Sequence, residues 1–214
     1  MFRKALLVMV VTLLPAAASG QVLDDRLVPD TSLRAALISA LDSAGLPATA
    51  EGLGKLRRLV APASGVRSLE GLQLATDLEA LDLTGNEIHD ASAVGELSSL
   101  RSLRLGRNRL TDVAWLAGLK HLESLFLDSN EIREVSAVSG LRSLRAFNAA
   151  GNRIRELSAL ESLRQLRGVW VGGNLLTDVP WASNLDQLEI LVIPENRIAD
   201  FDAIRSLESL VQVT

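Results

Sequence analysis

The chain has 214 residues, a formal net charge of −4 and no cysteine. Without cysteine it forms no disulfide framework, no thiol redox site and no lipid-modified cysteine anchor. A mildly acidic chain is poorly suited to holding the phosphate backbone of nucleic acids, so we expect no nucleic-acid partner. The length is sufficient for one domain with a sizeable core.

Residues 1–20 have the pattern of a secretory signal peptide. Arg3 and Lys4 precede an apolar run over residues 5–14, and small residues follow it. The run is much shorter than the roughly 20 apolar residues of a membrane-spanning helix, so a membrane anchor is the weaker interpretation. We therefore expect an exported, soluble protein, periplasmic or extracellular, with no membrane span in the mature chain.

A helical N-terminal cap is expected over residues 30–58, after a disordered segment over residues 21–29. Asp30 is a suitable N-cap, apolar residues follow it at helical spacing, and Gly45 marks the end of the helix. Thr49 begins a second, shorter helix. In a repeat array such a cap covers the apolar end of the first coil, which has no preceding coil to pack against.

Residues 59–214 repeat with a period of 22 residues. The marker of the period is an asparagine that returns without a slip, at Asn86, Asn108, Asn130, Asn152, Asn174 and Asn196. An irregular coil with Ser64 at the asparagine position comes first, six regular coils follow, and a partial strand ends the sequence. Leu81 and Leu83 illustrate the apolar positions that recur with the asparagine.

This pattern resembles leucine-rich repeats, and its period is most similar to that of the bacterial internalin-type class. The run from Asp30 to Leu37 is similar to the opening of the helical cap in that class. The resemblance implies an α/β fold: a leucine-rich repeat solenoid with a curved parallel sheet on the concave face. Short 3₁₀ or irregular helical turns are expected on the convex face, and a helical cap at the N-terminus.

The spacing within each coil has a physical reason. Alternation at Leu81 and Leu83 predicts a short strand whose counterparts in successive coils pair in parallel. The apolar residues after each asparagine recur every third position, which suits 3₁₀ turns. The asparagine itself is expected at a buried bend after the strand, where its amide pairs with backbone groups that otherwise lack partners.

The sequence nominates no catalytic or metal site. Each regular coil carries one acidic residue, at Asp90, Asp112, Glu134, Glu156, Asp178 and Asp200. A stacked carboxylate ladder could collect metal ions, but we interpret these residues as caps of the helical turns that follow them. The two histidines, His89 and His121, have no partner at metal-ligand or nucleophile–base spacing. We expect a protein that is not an enzyme and uses no cofactor or metal.

The candidate binding residues lie between the inward leucines of each strand, because their side chains face the concave surface. Along the array this central position is occupied by Asp82, Arg104, Phe126, Asn148, Trp170 and Val192. Phe126 and Trp170 are two coils apart, about 10 Å along the sheet. Exposed Phe and Trp with a neighbouring Arg match the composition of binding hot spots.

This composition leads to a functional hypothesis. Phe126 and Trp170 anchor a protein or peptide partner, and Arg104, Asp82 and Asp128 set its orientation. The small residues that flank the central position leave room for a ligand. A glycan is an alternative ligand for the two aromatic rings.

Two further interpretations stay open. Trp115 and Trp181 share one convex position and form a second candidate patch, unless they merely cover gaps at the start of helical turns. The alternative function is a structural, self-assembling solenoid, since the last strand near Val213 lacks the immunoglobulin-like cap that many internalin-type proteins carry. An uncapped end invites end-to-end self-association.

Overall fold

The computed structural model describes residues 20–205 and 207–213, and their secondary structure is that of a solenoid. The predicted signal peptide, except for Gly20, lies outside the described residues. Eight strands form one parallel sheet in chain order. They are β1 (Arg58–Val60), β2 (Ala80–Asp82), β3 (Ser102–Arg104), β4 (Ser124–Phe126), β5 (Ala146–Asn148), β6 (Gly168–Trp170), β7 (Ile190–Val192) and β8 (Gln212–Val213).

The strand register follows the period of the sequence. Leu81 of β2 pairs with Leu103 of β3, and Asp82 pairs with Arg104. Strands β4 and β5 pair with the same one-coil offset, which places Phe126 beside Asn148. Equivalent positions of neighbouring coils therefore lie side by side, and each position of the repeat forms a row along the sheet.

The other side of each coil is made of 3₁₀ turns, as the spacing of three predicts. Their bounds are Leu72–Leu74, Ser92–Glu96, Ala114–Gly118, Ser136–Gly140, Ser158–Leu160, Pro180–Ala182 and Asp202–Ile204. The inward residues Val94, Leu97 and Leu100 are fully buried. The predicted fold, a leucine-rich repeat solenoid with a parallel sheet and short 3₁₀ turns, is confirmed.

Asparagine occupies the bend after each regular strand, and it is buried in every coil except at Asn196, which is partly buried. The Nδ2 group of Asn130 donates to the carbonyl oxygens of Leu105 and Leu127, at 3.0 Å each. Its Oδ1 accepts from the N–H of Leu110 at 2.9 Å. Since Asn130 is 8% exposed, one side chain satisfies backbone groups of two coils that water reaches poorly.

Two helices cover the first coil. The first, α1 (Thr31–Ser43), buries Leu33, Leu37 and Leu41, and the second, α2 (Ala50–Gly54), begins after the N-cap Thr49. Helix α1 contacts β1. The apolar end of the array is therefore closed by the predicted N-terminal helix.

Asp30 joins α1 to the first coil. One carboxylate oxygen accepts from the N–H of Leu33 at 2.8 Å, and the other accepts from the N–H groups of Arg67 and Ser68 at 2.8 and 3.0 Å. Partial burial by itself raises the pKa of Asp30, but these backbone donors outweigh it and hold the pKa below its ordinary value. The ionised carboxylate thus stabilises the contact between cap and array.

The expectation of disorder over residues 21–29 is wrong. Val22 forms an antiparallel bridge with Thr49, and Leu23 and Val28 are 4% and 0% exposed. The segment also passes so close to Gly71 that a Cβ at that glycine would collide with the chain. Its apolar residues are few, but burial against the cap stabilises them in place.

Candidate binding surface

The predicted central residues form one row on the concave face, because the strand register aligns them from β2 to β7. Arg104 is exposed, whereas Asp82, Phe126, Asn148, Trp170 and Val192 are each partly buried. Asp128, the other predicted residue, is also partly buried and lies on the same face, two residues after Phe126. The aromatic rings therefore rest on the sheet rather than extend freely into solvent.

Arg104 and Phe126 form a stacked pair across β3 and β4. The guanidinium carbon of Arg104 lies 4.4 Å from the centre of the Phe126 ring. At a site of this exposure such a cation–π contact contributes about 0.5–1 kcal/mol. The contact fixes the orientation of both side chains before any partner arrives, which lowers the entropy cost of binding.

Trp170 lies over Gly168 of its own strand. A Cβ at Gly168 would collide with the far edge of the indole ring, so glycine is what allows the ring to lie flat on β6. Pro194 is close to Gly172 in a similar way, since a Cβ there would approach the Pro194 ring to 2.9 Å. Glycine at these two positions therefore leaves space on the concave face for the larger side chains of Trp170 and Pro194.

Strand β5 lies between the strands that carry the two aromatic residues. On the concave face its coil carries the smaller residues Ala146, Asn148 and Ala150, all partly buried. The Asn148 Oδ1 accepts from the N–H of Ala150 at 3.0 Å. This bond turns the Nδ2 group of Asn148 away from its own backbone, where it is free to donate to a ligand.

The two acidic residues of the proposed site differ in how fully they are engaged. Asp82 Oδ1 accepts from the N–H and hydroxyl of Thr84, at 3.0 and 2.7 Å. Asp128 lies against Gly106, where a Cβ would come within 2.5 Å of its carboxylate oxygen. Within the described residues the Asp128 carboxylate has no hydrogen-bond donor, so of the two it is the better placed to pair with a ligand.

A row of alternating charges borders the sheet just before the strands, and we call it the edge ladder. Its ion pairs are Arg57–Glu79 at 3.1 Å, Arg101–Glu123 at 2.9 Å and Arg167–Glu189 at 3.1 Å. Arg145 belongs to the same row. Our sequence interpretation missed this ladder, although Arg and Glu at 22-residue spacing were a visible signal.

The convex tryptophan patch is not formed as proposed. Trp181 is only 2% exposed and belongs to the core, whereas Trp115 is partly exposed and its Nε1 donates to the Asp112 carbonyl oxygen at 3.2 Å. The reason lies in the next residue. Ala182 occupies an inward position that Leu116 fills in the coil of Trp115, so the Trp181 indole fills the space that the small Ala182 leaves.

The acidic residues before the 3₁₀ turns act partly as predicted. Asp90 accepts from the N–H of Ser92 at 2.8 Å, and Asp200 accepts from that of Asp202 at 2.7 Å. Glu156 instead accepts from the hydroxyl of Ser158 at 2.7 Å. Over residues 20–205 and 207–213, no group of three or more potential metal ligands comes together.

A second concavity lies on the flank of the array, outside the concave row. It has a volume of about 930 Å³ and is lined mainly by charged and hydroxyl side chains, among them Arg133, Glu134, Arg153, Arg155 and Glu156. Arg153 is already paired with a glutamate, at 3.0 Å from Glu131. The groove is wide open and has no aromatic lining, so it lacks the apolar, enclosing walls of a small-molecule site.

Comparison with known proteins identifies the repeat type. A family model described as leucine-rich repeat matches residues 98–154, and a second leucine-rich repeat model matches residues 75–95. Internalin C2 from Listeria monocytogenes is 27% identical in sequence, with a TM-score of 0.70, over 89% of this chain and 95% of its own. The chain therefore contains leucine-rich repeats and is similar in fold to an internalin.

Two other solved structures share the fold of this chain. A leucine-rich repeat protein from Leptospira interrogans is 26% identical over 72% of this chain and 39% of its own, with a TM-score of 0.62. The ectodomain of a plant receptor kinase from Arabidopsis thaliana, solved in complex with Casparian strip integrity factor 2, is 21% identical. That match covers 76% of this chain and 21% of the ectodomain chain, with a TM-score of 0.68.

A search of curated protein sequences found no significant match. Leucine-rich repeat proteins of this fold are generally protein-binding modules, and the fold is typically a non-catalytic scaffold. Among the described residues, none of the helices has the length and apolar character needed to cross a bilayer.

Proposed function

We propose that this chain is an exported, non-catalytic protein that recognises a protein or peptide partner on the concave face of its repeat array. Phe126 and Trp170 anchor the partner, and Arg104, Asp82 and Asp128 orient it. Asn148 and Val192 complete the contact surface.

The stacked Arg104–Phe126 pair, with Trp170 two coils further along the same face, is the observation that carries this proposal. The chain has only three tryptophans and four phenylalanines, and the core already uses Trp181 and Phe147, which are 2% and 0% exposed. Phe126 and Trp170 contribute nothing to the interior of their coils. Large aromatic side chains held on a surface of small residues have the composition and rigidity of interface anchors.

Two other parts of the proposal rest on the sequence. Export is supported by the basic start, short apolar run and small residues within residues 1–20. The non-catalytic role is supported by the lack of convergent nucleophile, base and oxyanion donors among the described residues of the concave face. End-to-end self-association stays a prediction.

The test is a cross-linking pull-down from native membranes and medium. Wild type, Phe126→Ala and Trp170→Ala are compared at equal concentration, and Trp115→Ala serves as a control that removes a partly exposed tryptophan from the convex face. We expect both concave variants to lose most of the captured partner, while the control retains it. Unchanged capture by both concave variants would contradict a concave binding site.

A further inference from the structure

The charge of one surface strip changes along the array. The strip consists of the five residues that directly precede each strand from β2 to β7. Its first and last segments, residues 75–79 and 185–189, each contain two carboxylates and no basic residue. The three segments at 119–123, 141–145 and 163–167 contain one carboxylate and five cations, which we call the basic patch: Lys120, Arg142, Arg145, Arg164 and Arg167. The whole chain has a net charge of −4, so this concentration of positive charge is local.

The fold brings these five exposed residues onto one edge of the array. The Arg167 N–H donates to the Arg145 carbonyl oxygen at 2.8 Å, so the two residues are neighbours in adjacent coils, about 5 Å apart. The Lys120 side chain extends over the next coil, since a Cβ at Gly140 would lie 2.6 Å from its ammonium nitrogen. Gly140 precedes Arg142 by two residues. The patch therefore extends over three coils, or about 10 Å along the sheet.

The chain itself neutralises only part of the basic patch. Two members pair with carboxylates, Arg167 with Glu189 at 3.1 Å and Arg164 with Asp186 at 4.0 Å. The carboxylate within the three segments, Glu123, pairs with an arginine of the preceding coil at 2.9 Å. In the part of the chain that the structure describes, three members form no ion pair within 4.0 Å: Lys120, Arg142 and Arg145. Like charges at this spacing repel each other, so an anion from outside the chain stabilises the patch.

The surroundings of the patch favour a short ligand. Asp186 and Glu189 lie one coil later in the strip, and Asp77 and Glu79 lie two coils earlier, within about 10 Å of the patch. A bilayer surface or a long polyanion laid along the strip meets these carboxylates and is repelled. The apolar residues of the three basic segments are leucines with 0% exposure, so these segments offer no side chain for insertion into a membrane. About three to four residues of an extended peptide match the length of the patch.

The patch borders the candidate binding surface. Arg145 and Arg167 directly precede β5 and β6, and Asn148 and Trp170 follow them by three residues, roughly 10 Å along the strand. A partner on the concave face therefore has the patch within reach of a few further residues. Since leucine-rich repeat proteins of this fold are generally protein-binding modules, these observations favour a protein segment of negative charge.

We propose that the basic patch binds a short acidic segment of the same protein partner that the concave face recognises. The carboxylates of this segment pair with Lys120, Arg142 and Arg145, and each guanidinium group can hold a carboxylate through two parallel hydrogen bonds. This inference rests on the proposed function and adds the charge of the partner to it. Charge pairs at the edge of an interface act mainly on the association rate and its salt dependence, so the patch accelerates and orients the encounter.

The test begins with selection of a phage-displayed library of random linear peptides on the immobilised protein. Enriched peptides are synthesised, and their association rates and dissociation constants are measured by biolayer interferometry. The patch variant is Arg142→Glu/Arg145→Glu. The matched control, the flank variant, is Arg133→Glu/Arg155→Glu, which changes the net charge equally. It reverses two exposed arginines of adjacent coils that lie after the strands rather than before them, and that form no ion pair within 4.0 Å among the described residues.

The expected result has three parts. Enriched peptides contain a cluster of acidic residues, and they also lose binding to Phe126→Ala/Trp170→Ala. The patch variant weakens their binding at least about tenfold, mainly through slower association, and the loss shrinks when salt is raised to about 0.5 M. The flank variant changes binding by less than about threefold, because its charges lie beyond the screening distance. Vesicles of equal parts phosphatidylglycerol and phosphatidylcholine retain wild type and the patch variant to the same extent.

Other results would overturn the inference and the proposed function separately. Peptides that need Phe126 and Trp170 but respond equally to the patch and flank variants would refute the basic patch and leave the concave site standing. Retention of wild type, but not of the patch variant, by the phosphatidylglycerol vesicles would replace the acidic segment with a membrane surface. Acidic peptides that depend on the patch but not on Phe126 or Trp170 would support the patch and contradict the concave site.

Discussion

The asparagine row and the concave row run side by side along the same coils, yet they differ in every physical respect. The first holds the same residue at six successive positions, from Asn86 to Asn196. The second changes residue type at every coil. The asparagine side chains bond to fixed backbone atoms, such as the Leu110 N–H that donates to Asn130, so substitution leaves a buried group unpaired.

The concave row has no such constraint. Asn148 shows this clearly, since only its Oδ1 is engaged, by the N–H of Ala150. The same amino acid is therefore a structural bridge at Asn130 and a partly free donor at Asn148. A residue that repeats along this chain therefore satisfies a requirement of the backbone, whereas the residues that vary on the concave face are available for recognition.

The largest predicted effect is on stability, and it distinguishes the buried Trp181 from the partly exposed Trp115 on the convex side. Trp181→Ala is expected to lower the free energy of unfolding by about 3–5 kcal/mol, because the indole fills the space beside Ala182. Trp115→Ala should lower it by less than about 2 kcal/mol, since Trp115 lies over a coil already filled by Leu116. Urea denaturation followed by circular dichroism measures both, and equal losses would show that Trp181 is not a core residue.

A second prediction compares the two asparagines directly. Asn130→Ala is expected to cost about 2–3 kcal/mol of unfolding free energy, since it leaves the buried Leu110 N–H without a partner. It also removes one of the two donors from each of the Leu105 and Leu127 carbonyl oxygens. Asn148→Ala should cost only about 0.5–1 kcal/mol, the value of one hydrogen bond. Chemical denaturation of the two variants in parallel provides the check. Equal losses of unfolding free energy in the two variants would contradict the claim that Asn130 is structural and Asn148 is not.

The acid dependence of the cap gives a third prediction. The pKa of Asp30 is lowered in the folded state, so its stabilising effect is present above the unfolded pKa, near 4, and is lost as the pH falls through the folded pKa. At neutral pH, Asp30→Ala should reduce the free energy of unfolding by about 1 kcal/mol, a typical N-cap value.

The control for Asp30 is the asparagine variant. Asp30→Asn keeps one acceptor for the Leu33 N–H but has no charge to lose, so its stability should vary less than that of wild type between pH 5 and pH 3. Unfolding curves at several pH values distinguish the three proteins. If wild type and Asp30→Ala differ equally at all of these pH values, the carboxylate charge has no part in holding the cap.

The smallest predicted effect concerns Gly168, over which the Trp170 ring lies. In Gly168→Ala the added methyl collides with the far end of the indole, which can rotate away, so we expect less than about 1 kcal/mol of destabilisation. Partner affinity should fall and the tryptophan emission should shift, because the ring no longer lies flat on β6. Ala80→Gly, at the equivalent position of β2 and away from both aromatic residues, is the control. Unchanged emission and affinity in Gly168→Ala would show that glycine at this position is not needed to hold the Trp170 ring in place.

Much of the fold is predictable because each coil repeats the same demands. Leu81, Leu83 and Asn86 already define the strand, the interior and the bend, and α1 follows from its N-cap and apolar spacing. The order of residues 21–29 was missed because Leu23 and Val28 are too few to show a period. Their burial depends on the cap surface that only the folded chain presents.

The candidate site is less predictable for a related reason. The alignment of Phe126, Asn148 and Trp170 follows from the period, but the stacking of Arg104 on Phe126 depends on side-chain rotamers. The burial of Trp181 was also missed, although the small Ala182 beside it was a usable signal. Ion pairs between coils, such as Arg101 with Glu123, use the carboxylates on both sides of Arg145. This becomes visible only when the whole row is considered.

The most direct test of the account is the affinity of the Phe126→Ala and Trp170→Ala variants for the captured partner, measured with their unfolding free energies. We expect each variant to lose more than about 2 kcal/mol of binding free energy. We also expect each to lose less stability than Trp181→Ala does. Unchanged affinity in both variants would contradict the claim that the varying row of the concave face is the binding surface.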